Sequence, residues 1–225
     1  MIELNKQILI LIGHYGTGKT TLSLNTAMNY SEESAKPLAL VDLDVNNPYF
    51  RSRDWLDALD KRQIEVIMPK KEIAFAEMPY LPKEVYSIIH DPTRKVIIDV
   101  GGHDVGTTVL GSIADKIEKV DFDLFMVINT YRPDMGSAEE IVQMLERLQG
   151  LSKLKITGLI NNTNLGTLTQ VEDLIESEKI VQAVSDYTGI PFIGTAVENQ
   201  LLEKSKEVLK SSIIPLKRFD LYNFR

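Results

Sequence analysis

Two glycines with four residues between them, followed directly by lysine and threonine, carry the first recognisable chemistry of this chain. The run is Gly13, His14, Tyr15, Gly16, Thr17, Gly18, Lys19, Thr20, with Thr21 next. It fits G-x-x-x-x-G-K-S/T, a loop that holds phosphate. Glycines let backbone N–H groups turn inward around an anion with no Cβ in the way. Lys19 is placed to reach the outer phosphates, and the Thr20 hydroxyl to bind Mg²⁺. The apolar run 7–12 before the loop reads as a buried strand, and 19–30 after it continues as a helix. The N-terminus of such a helix adds a partial positive charge. A plain glycine-rich turn is the alternative, and it leaves the Lys-Thr pair unexplained.

Carboxylates recur where other apolar runs end. ALVDLD sets Asp42 and Asp44 one residue apart. Hydrolysis of a nucleoside triphosphate needs carboxylates near its Mg²⁺ and near the attacking water. Asp44 is the candidate for orienting that water, at or beside the metal. Asp42 is the candidate for supporting the metal's outer sphere or the loop. Capping of a turn or of the next helix is the alternative for both. VIID ends on Asp99, expected to reach Mg²⁺ through water. Gly101 and Gly102 then allow close backbone approach to a γ-phosphate, and an N–H there would distinguish triphosphate from diphosphate.

Other polar residues fall in the same kind of place. His14 and His103 lie in loops expected to face phosphate, but two histidines without a third ligand do not make a zinc site. Arg51 and Arg53 offer planar forks for phosphate, or are exposed residues at a helix start. Arg132, beside Pro133, is a partner or substrate contact, or part of a rigid start to the next helix. In GLINN, Asn161 or Asn162 is placed to hydrogen-bond a purine edge. The guanine-reading N-K-x-D pattern is absent, which favours adenine. Asn164, before Leu165-Gly166, reads as a turn residue.

The elements that must position these groups alternate in type. Strands are expected over 7–12, 37–42, 65–68, 95–100, 124–129, 156–161 and 192–194. Helices are expected over 19–30, 52–59, 83–90, 107–118, 137–148, 170–187 and 200–209. Alternating βα units predict an α/β fold of three layers, with a mainly parallel central sheet flanked by helices on both faces. Such sheets bind ligands beyond the carboxyl ends of their strands, where every polar cluster named above falls. Residues 68–82, with Pro69, Pro79 and Pro82, are the least regular and read as a lid or partner surface. The whole of 1–225 reads as a single nucleotide-binding domain.

Composition narrows the setting. With 44% apolar and 25% charged residues, the chain has the makeup of a soluble globular protein. It has no cysteine, which excludes disulfides, thiolate metal sites and cysteine nucleophiles. A net charge of −7 argues against nonspecific binding to nucleic acid or acidic membranes. MIELNKQ lacks the features of a signal peptide, and no apolar run approaches the ~20 residues of a membrane span. A cytoplasmic setting without stable membrane insertion is expected. Lys217 and Arg218, with Phe219, Leu221, Tyr222 and Phe224, form a short basic aromatic tail that reads as a docked or frayed terminus.

GHYGTGKT, VDLD, VIIDVGG, GLINN and PFIGTAV together resemble the MinD/ParA/CobQ-type P-loop ATPases of the SIMIBI class. The resemblance implies ATP and Mg²⁺ as ligands, Asp44 as the hydrolytic aspartate and Asn162 as the adenine-reading residue. It implies slow ATP hydrolysis by a nucleotide-controlled switch acting on an unidentified protein partner, with a possible nucleotide-dependent homodimer. The chain departs from that group at His14, where a signature lysine is usual, and at Tyr15, where glycine is usual. Two other readings stay open. One is an ATP-dependent small-molecule kinase or ligase, with Arg51, Arg53, Lys70, Lys71 and Arg132 lining an anionic acceptor site. The other is a non-hydrolysing ATP sensor.

Overall fold

All five residues of Ile8–Ile12 are buried, as are all five of Leu38–Asp42. Strands this apolar need cover on both faces. The computed structural model describes residues 1–34, 36–43, 53–68, 81 and 83–217. Its elements run β1 (Ile8–Ile12), α1 (Lys19–Glu33), β2 (Leu38–Asp42), α2 (Arg53–Asp60), β3 (Ile64–Ile67), α3 (Lys83–Ile89), β4 (Lys95–Asp99) and α4 (Asp104–Gly111). They continue as α5 (Ala114–Ile117), β5 (Phe122–Ile128), α6 (Ala138–Ser152), β6 (Gly158–Asn161), α7 (Val171–Thr188), β7 (Phe192–Glu198), α8 (Leu202–Val208) and β8 (Ile213–Leu216).

The strands form one sheet in the order β3-β2-β4-β1-β5-β6-β7-β8, every pair parallel. Side chains alternate across it. Ile8, Ile10 and Ile12 pack on one face with Val109 of α4 and Leu145 of α6. Leu9 and Leu11 pack on the other with Leu22 and Ala27 of α1. The three-layer α/β architecture expected from the sequence is present. From β1 the chain builds outward first to one side, through β2, β3 and β4, and then to the other, through β5 to β8. β1 is therefore the topological switch point, and the loop after it lies where ligands of such sheets bind.

Three expectations need correction. The helix expected over 107–118 is two helices, α4 and α5, broken after Gly111. A Cβ at Gly111 would lie 2.2 Å from the Leu151 carbonyl oxygen, so this glycine serves the close approach of α6. The strand expected to end at Gly194 continues to Glu198. β8 was not expected, because Pro215 interrupts its pattern; as an edge strand it tolerates a residue without an N–H. The remaining boundaries differ by a few residues, the largest at the C-terminal ends of α1 and α6. α6 begins at a capping box, with Ser137 and Glu140 each accepting from the other's backbone N–H. Among the described residues, no helix is long and apolar enough to cross a membrane.

Candidate nucleotide-binding site

The loop between β1 and α1 has the backbone that its glycines allow. Gly16 and Gly18 take φ of 73° and 87°, a region that other residues rarely adopt. Thr17 closes the turn, donating from its N–H and its hydroxyl to the His14 carbonyl at 3.3 and 2.9 Å. Lys19 is buried, and its Nζ donates to the Gly13 and His14 carbonyls at 3.0 Å each. The ammonium is thus held at the mouth of the loop, where phosphate oxygens can take over as acceptors. His14 is half-buried, and its Nδ1 contacts the Tyr15 carbonyl at 3.1 Å.

Thr20, in the first turn of α1, donates its hydroxyl to Asp99 Oδ2 at 2.6 Å. Asp99 is the last residue of β4, beside β1 in the sheet, and is 1% exposed. Asp42, at the end of β2, is its register partner and is buried too. One hydroxyl and two neighbouring carboxylates form a hard oxygen donor set. Mg²⁺ suits it, since Mg²⁺ is usually held by one or two protein oxygens together with water and substrate phosphate. Among the described residues, no group of three His, Asp or Glu side chains converges into an all-protein metal site.

The loop after β4 lies directly against the first loop. A Cβ on Gly102 would stand 2.5 Å from Tyr15 Cα and 3.0 Å from Lys19 Nζ. Only glycine fits there, which places the backbone after Asp99 at the phosphate end of the site. The next residue, His103, stacks on Tyr15, with ring centroids 5.0 Å apart and planes 20° from parallel. Asp104 opens α4 and pairs with Arg147 of α6.

A cavity of about 150 Å³ opens on the other side of the loop, lined by Gly16, Gly18, Thr21, Asn162 and Glu198 among others. The two candidate asparagines have different work. Asn161 is fully buried: its Nδ2 donates to Ser177 Oγ at 2.9 Å, and its Oδ1 accepts from the Thr163 N–H at 3.1 Å. Asn162 faces the loop, and its Nδ2 donates to the Thr17 carbonyl at 2.7 Å. A Cβ on Gly18 would lie 2.2 Å from that Nδ2, so glycine is required there by contact as well as by φ. Asn162 Oδ1 accepts no hydrogen bond among the described residues and is the part of this side chain left for a base. Asn164 is the turn residue expected, its Oδ1 accepting from the Gly166 N–H.

Glu198 was not foreseen. Its only signal in the sequence is the PFIGTAVE run, in which the expected strand stops at Gly194. Arg132, expected as a partner contact, a substrate contact or part of a rigid helix start, lies on the phosphate loop: its Nε donates to the Gly16 carbonyl at 2.8 Å. Asp44, Arg51, Lys70, Lys71, Arg218 and the end of the aromatic tail lie outside the described residues, as does the side chain of Arg53.

The sequence matches no protein-family model and no curated protein. The fold is nevertheless shared with solved structures. FtsY of Mycoplasma mycoides is 16% identical, with a TM-score of 0.56 over 87% of this chain and 62% of that one. The cell division protein FtsY of Thermotoga maritima is 16% identical, with a TM-score of 0.57 over 85% and 62%. The 54 kDa signal recognition particle protein of Aeropyrum pernix, solved in complex with GDP, is 17% identical, with a TM-score of 0.55 over 84% and 41%. The chain thus spans less than two thirds of each of these proteins. At such identities the likeness establishes the α/β P-loop fold, and these neighbours do not single out the MinD/ParA-type branch.

Proposed function

We propose that this chain is a Mg²⁺-dependent ATP-binding protein that hydrolyses ATP slowly and acts as a nucleotide-controlled switch on a protein partner. The observation that carries the reading is the convergence of Lys19, the Thr20–Asp99 pair and Gly102 around one loop. In this reading the backbone from Gly13 to Thr21 cradles the phosphates and Lys19 neutralises their charge. Thr20 and Asp99 hold Mg²⁺, which supplies charge neutralisation and a template for the phosphates. Asp44 orients the attacking water, at or beside the metal. The backbone at Gly102 senses the γ-phosphate, and Asn162 Oδ1 accepts from adenine N6. The MinD/ParA/CobQ-type motifs support the choice of ATP, and such a switch would form its homodimer only with triphosphate bound. Direct titration with Mg·ATP and Mg·GTP, for the wild type and Lys19→Ala, tests the assignment. Equal Mg·ATP affinity of the two proteins sinks it.

Guanine is the second reading, and Glu198 favours it. A carboxylate only accepts hydrogen bonds, so at the cavity wall it suits the N1–H and N2–H of guanine better than the single donor group of adenine. Under the ATP reading, Glu198→Gln leaves the purine preference unchanged. Tighter binding of Mg·GTP than Mg·ATP, lost in Glu198→Gln, selects guanine instead.

A further inference from the structure

The described guanidinium groups divide unevenly. Arg62 pairs with Glu32, Arg94 with Glu65 and Asp91, and Arg147 with Asp104. Arg132 is the exception: among the described residues it makes no ion pair. It lies instead on the phosphate loop. A Cβ on Gly16 would stand 3.1 Å from both its Cζ and its Nε, so the guanidinium packs against the loop at its fourth residue. Nε is spent on the Gly16 carbonyl, and neither Nη has a hydrogen bond among the described residues.

The arginine is presented by a braced segment. Its own N–H donates to the Asn129 carbonyl at 3.0 Å, and the Tyr131 N–H to Asn129 Oδ1 at 3.1 Å. The Thr130 N–H donates to Thr163 Oγ1 at 3.0 Å, and the Tyr131 hydroxyl to Asp173 at 2.5 Å. Pro133 follows, with a fixed φ of its own. A long cationic side chain held this way, with two donor groups to spare, suits an anion in the loop it touches.

We infer that Arg132 is a built-in arginine finger: it supplies charge to the phosphates from within the same chain. The inference rests on the nucleotide-binding reading of the loop. In hydrolysis the water oxygen forms a bond to the γ-phosphorus, and the bond from that phosphorus to the β–γ bridging oxygen breaks. The electron pair stays on the β-phosphate of the diphosphate; of the two water protons, one remains on orthophosphate and one passes to solvent. Negative charge grows on the bridging side as the bond breaks, and the free Nη groups of Arg132 donate there while Nε keeps its hold on Gly16. Arg132 brings a permanent positive charge to the loop from within the same chain.

The test compares binding of Mg·ADP alone with Mg·ADP plus aluminium fluoride, which mimics the phosphoryl group in transfer. Both are measured calorimetrically on the wild type, Arg132→Ala, Arg132→Lys and Lys19→Ala, alongside single-turnover hydrolysis. Arg132→Ala is expected to weaken Mg·ADP binding only slightly, because the β-phosphate carries less charge at that oxygen before the γ-phosphoryl group is in transfer. It is expected to weaken the aluminium fluoride complex and slow turnover by at least about ten-fold, toward the ~10³-fold of arginine fingers elsewhere. Arg132→Lys falls between. Equal loss of Mg·ADP and of the fluoride complex makes Arg132 a brace for the loop and overturns the inference, as does no loss of either. Failure of the wild type to bind Mg·ADP at all, with Lys19→Ala indistinguishable from it, overturns the reading of the loop itself.

Discussion

On the phosphate side of the site, between β2, β4 and β1, the polar groups hold one another with bonds that a ligand can take over. Lys19 Nζ sits on two loop carbonyls, and the Thr20 hydroxyl sits on Asp99. On the nucleoside side, beyond β6 and β7, the polar groups are tied into the interior. Asn161 joins Ser177 at 2.9 Å, and Thr195 joins Ser211 at 2.8 Å. Asn162 reaches across, to the Thr17 carbonyl. One half is built to exchange partners and the other to keep them. The proposed switch would use both, because a sensor for the γ-phosphate would have to move while a base pocket fixed the register of the nucleotide.

The largest effect should come from removing the exchangeable cation. Lys19→Ala is expected to lower Mg·ATP affinity by about a hundred-fold or more, since each hydrogen bond to a charged group is worth about 1.5–3 kcal/mol. Titration calorimetry reads it, and circular dichroism checks that the fold is kept. Next is Gly102→Ala. Its Cβ would lie 2.5 Å from Tyr15 Cα, a backbone atom that cannot turn aside, so one of the two loops must move. A stability loss of about 1–3 kcal/mol is expected, with loss of discrimination between ATP and ADP. Preserved discrimination would remove Gly102 from the sensing role.

How much of this was legible in the sequence follows the same division. Phosphate chemistry is local: Gly13 to Thr20 is one continuous segment, and Asp99 ends an apolar run that periodicity alone identifies. The sheet was legible for the same reason, since strands buried on both faces read as unbroken apolar runs. What failed depended on neighbours distant in sequence. Gly194 looks like the end of a strand, yet a Cβ there would lie 2.3 Å from the carbonyl oxygen of Ser212, the residue leading into β8: that close approach, not a turn, demands the glycine. Reading it as a stop hid Glu198. Asn161 and Asn162 are adjacent and identical in type, and only their contacts show which faces the loop. Arg132 and Gly16 are 116 residues apart, and no local pattern links them.

The two asparagines sharpen the comparison directly. Asn161→Ala leaves a buried N–H and a buried hydroxyl short of a partner, and should cost about 1–3 kcal/mol of stability while nucleotide affinity holds. Asn162→Ala should do the reverse, lowering affinity by about ten-fold, the equivalent of roughly 1.4 kcal/mol, with a smaller effect on unfolding. Denaturant unfolding and calorimetry on both variants separate the roles. If Asn161→Ala loses affinity at unchanged stability, the division into exchanging and fixed halves is wrong.

The smallest effect lies at Tyr131, which links the two halves through its bond to Asp173 at the start of α7. That hydrogen bond, helped by partial burial and the charges of Asp173 and Glu176, pushes the phenol up to about 12. An unfolded tyrosine ionises near about 10. The folded chain therefore keeps a proton between those values that the unfolded chain releases. The contribution of the neutral hydroxyl is complete below pH 10 and is lost as pH rises through about 12. Tyr131 is 44% exposed, so solvent weakens the link, and Tyr131→Phe should cost no more than about 1 kcal/mol at neutral pH. Tyrosinate absorbance between pH 9 and 12 should show one late-titrating phenol that is missing in Tyr131→Phe. If the variant titrates as the wild type does, the hydroxyl holds no proton for Asp173, and the bridge between the halves rests on Asn162 and Arg132 alone.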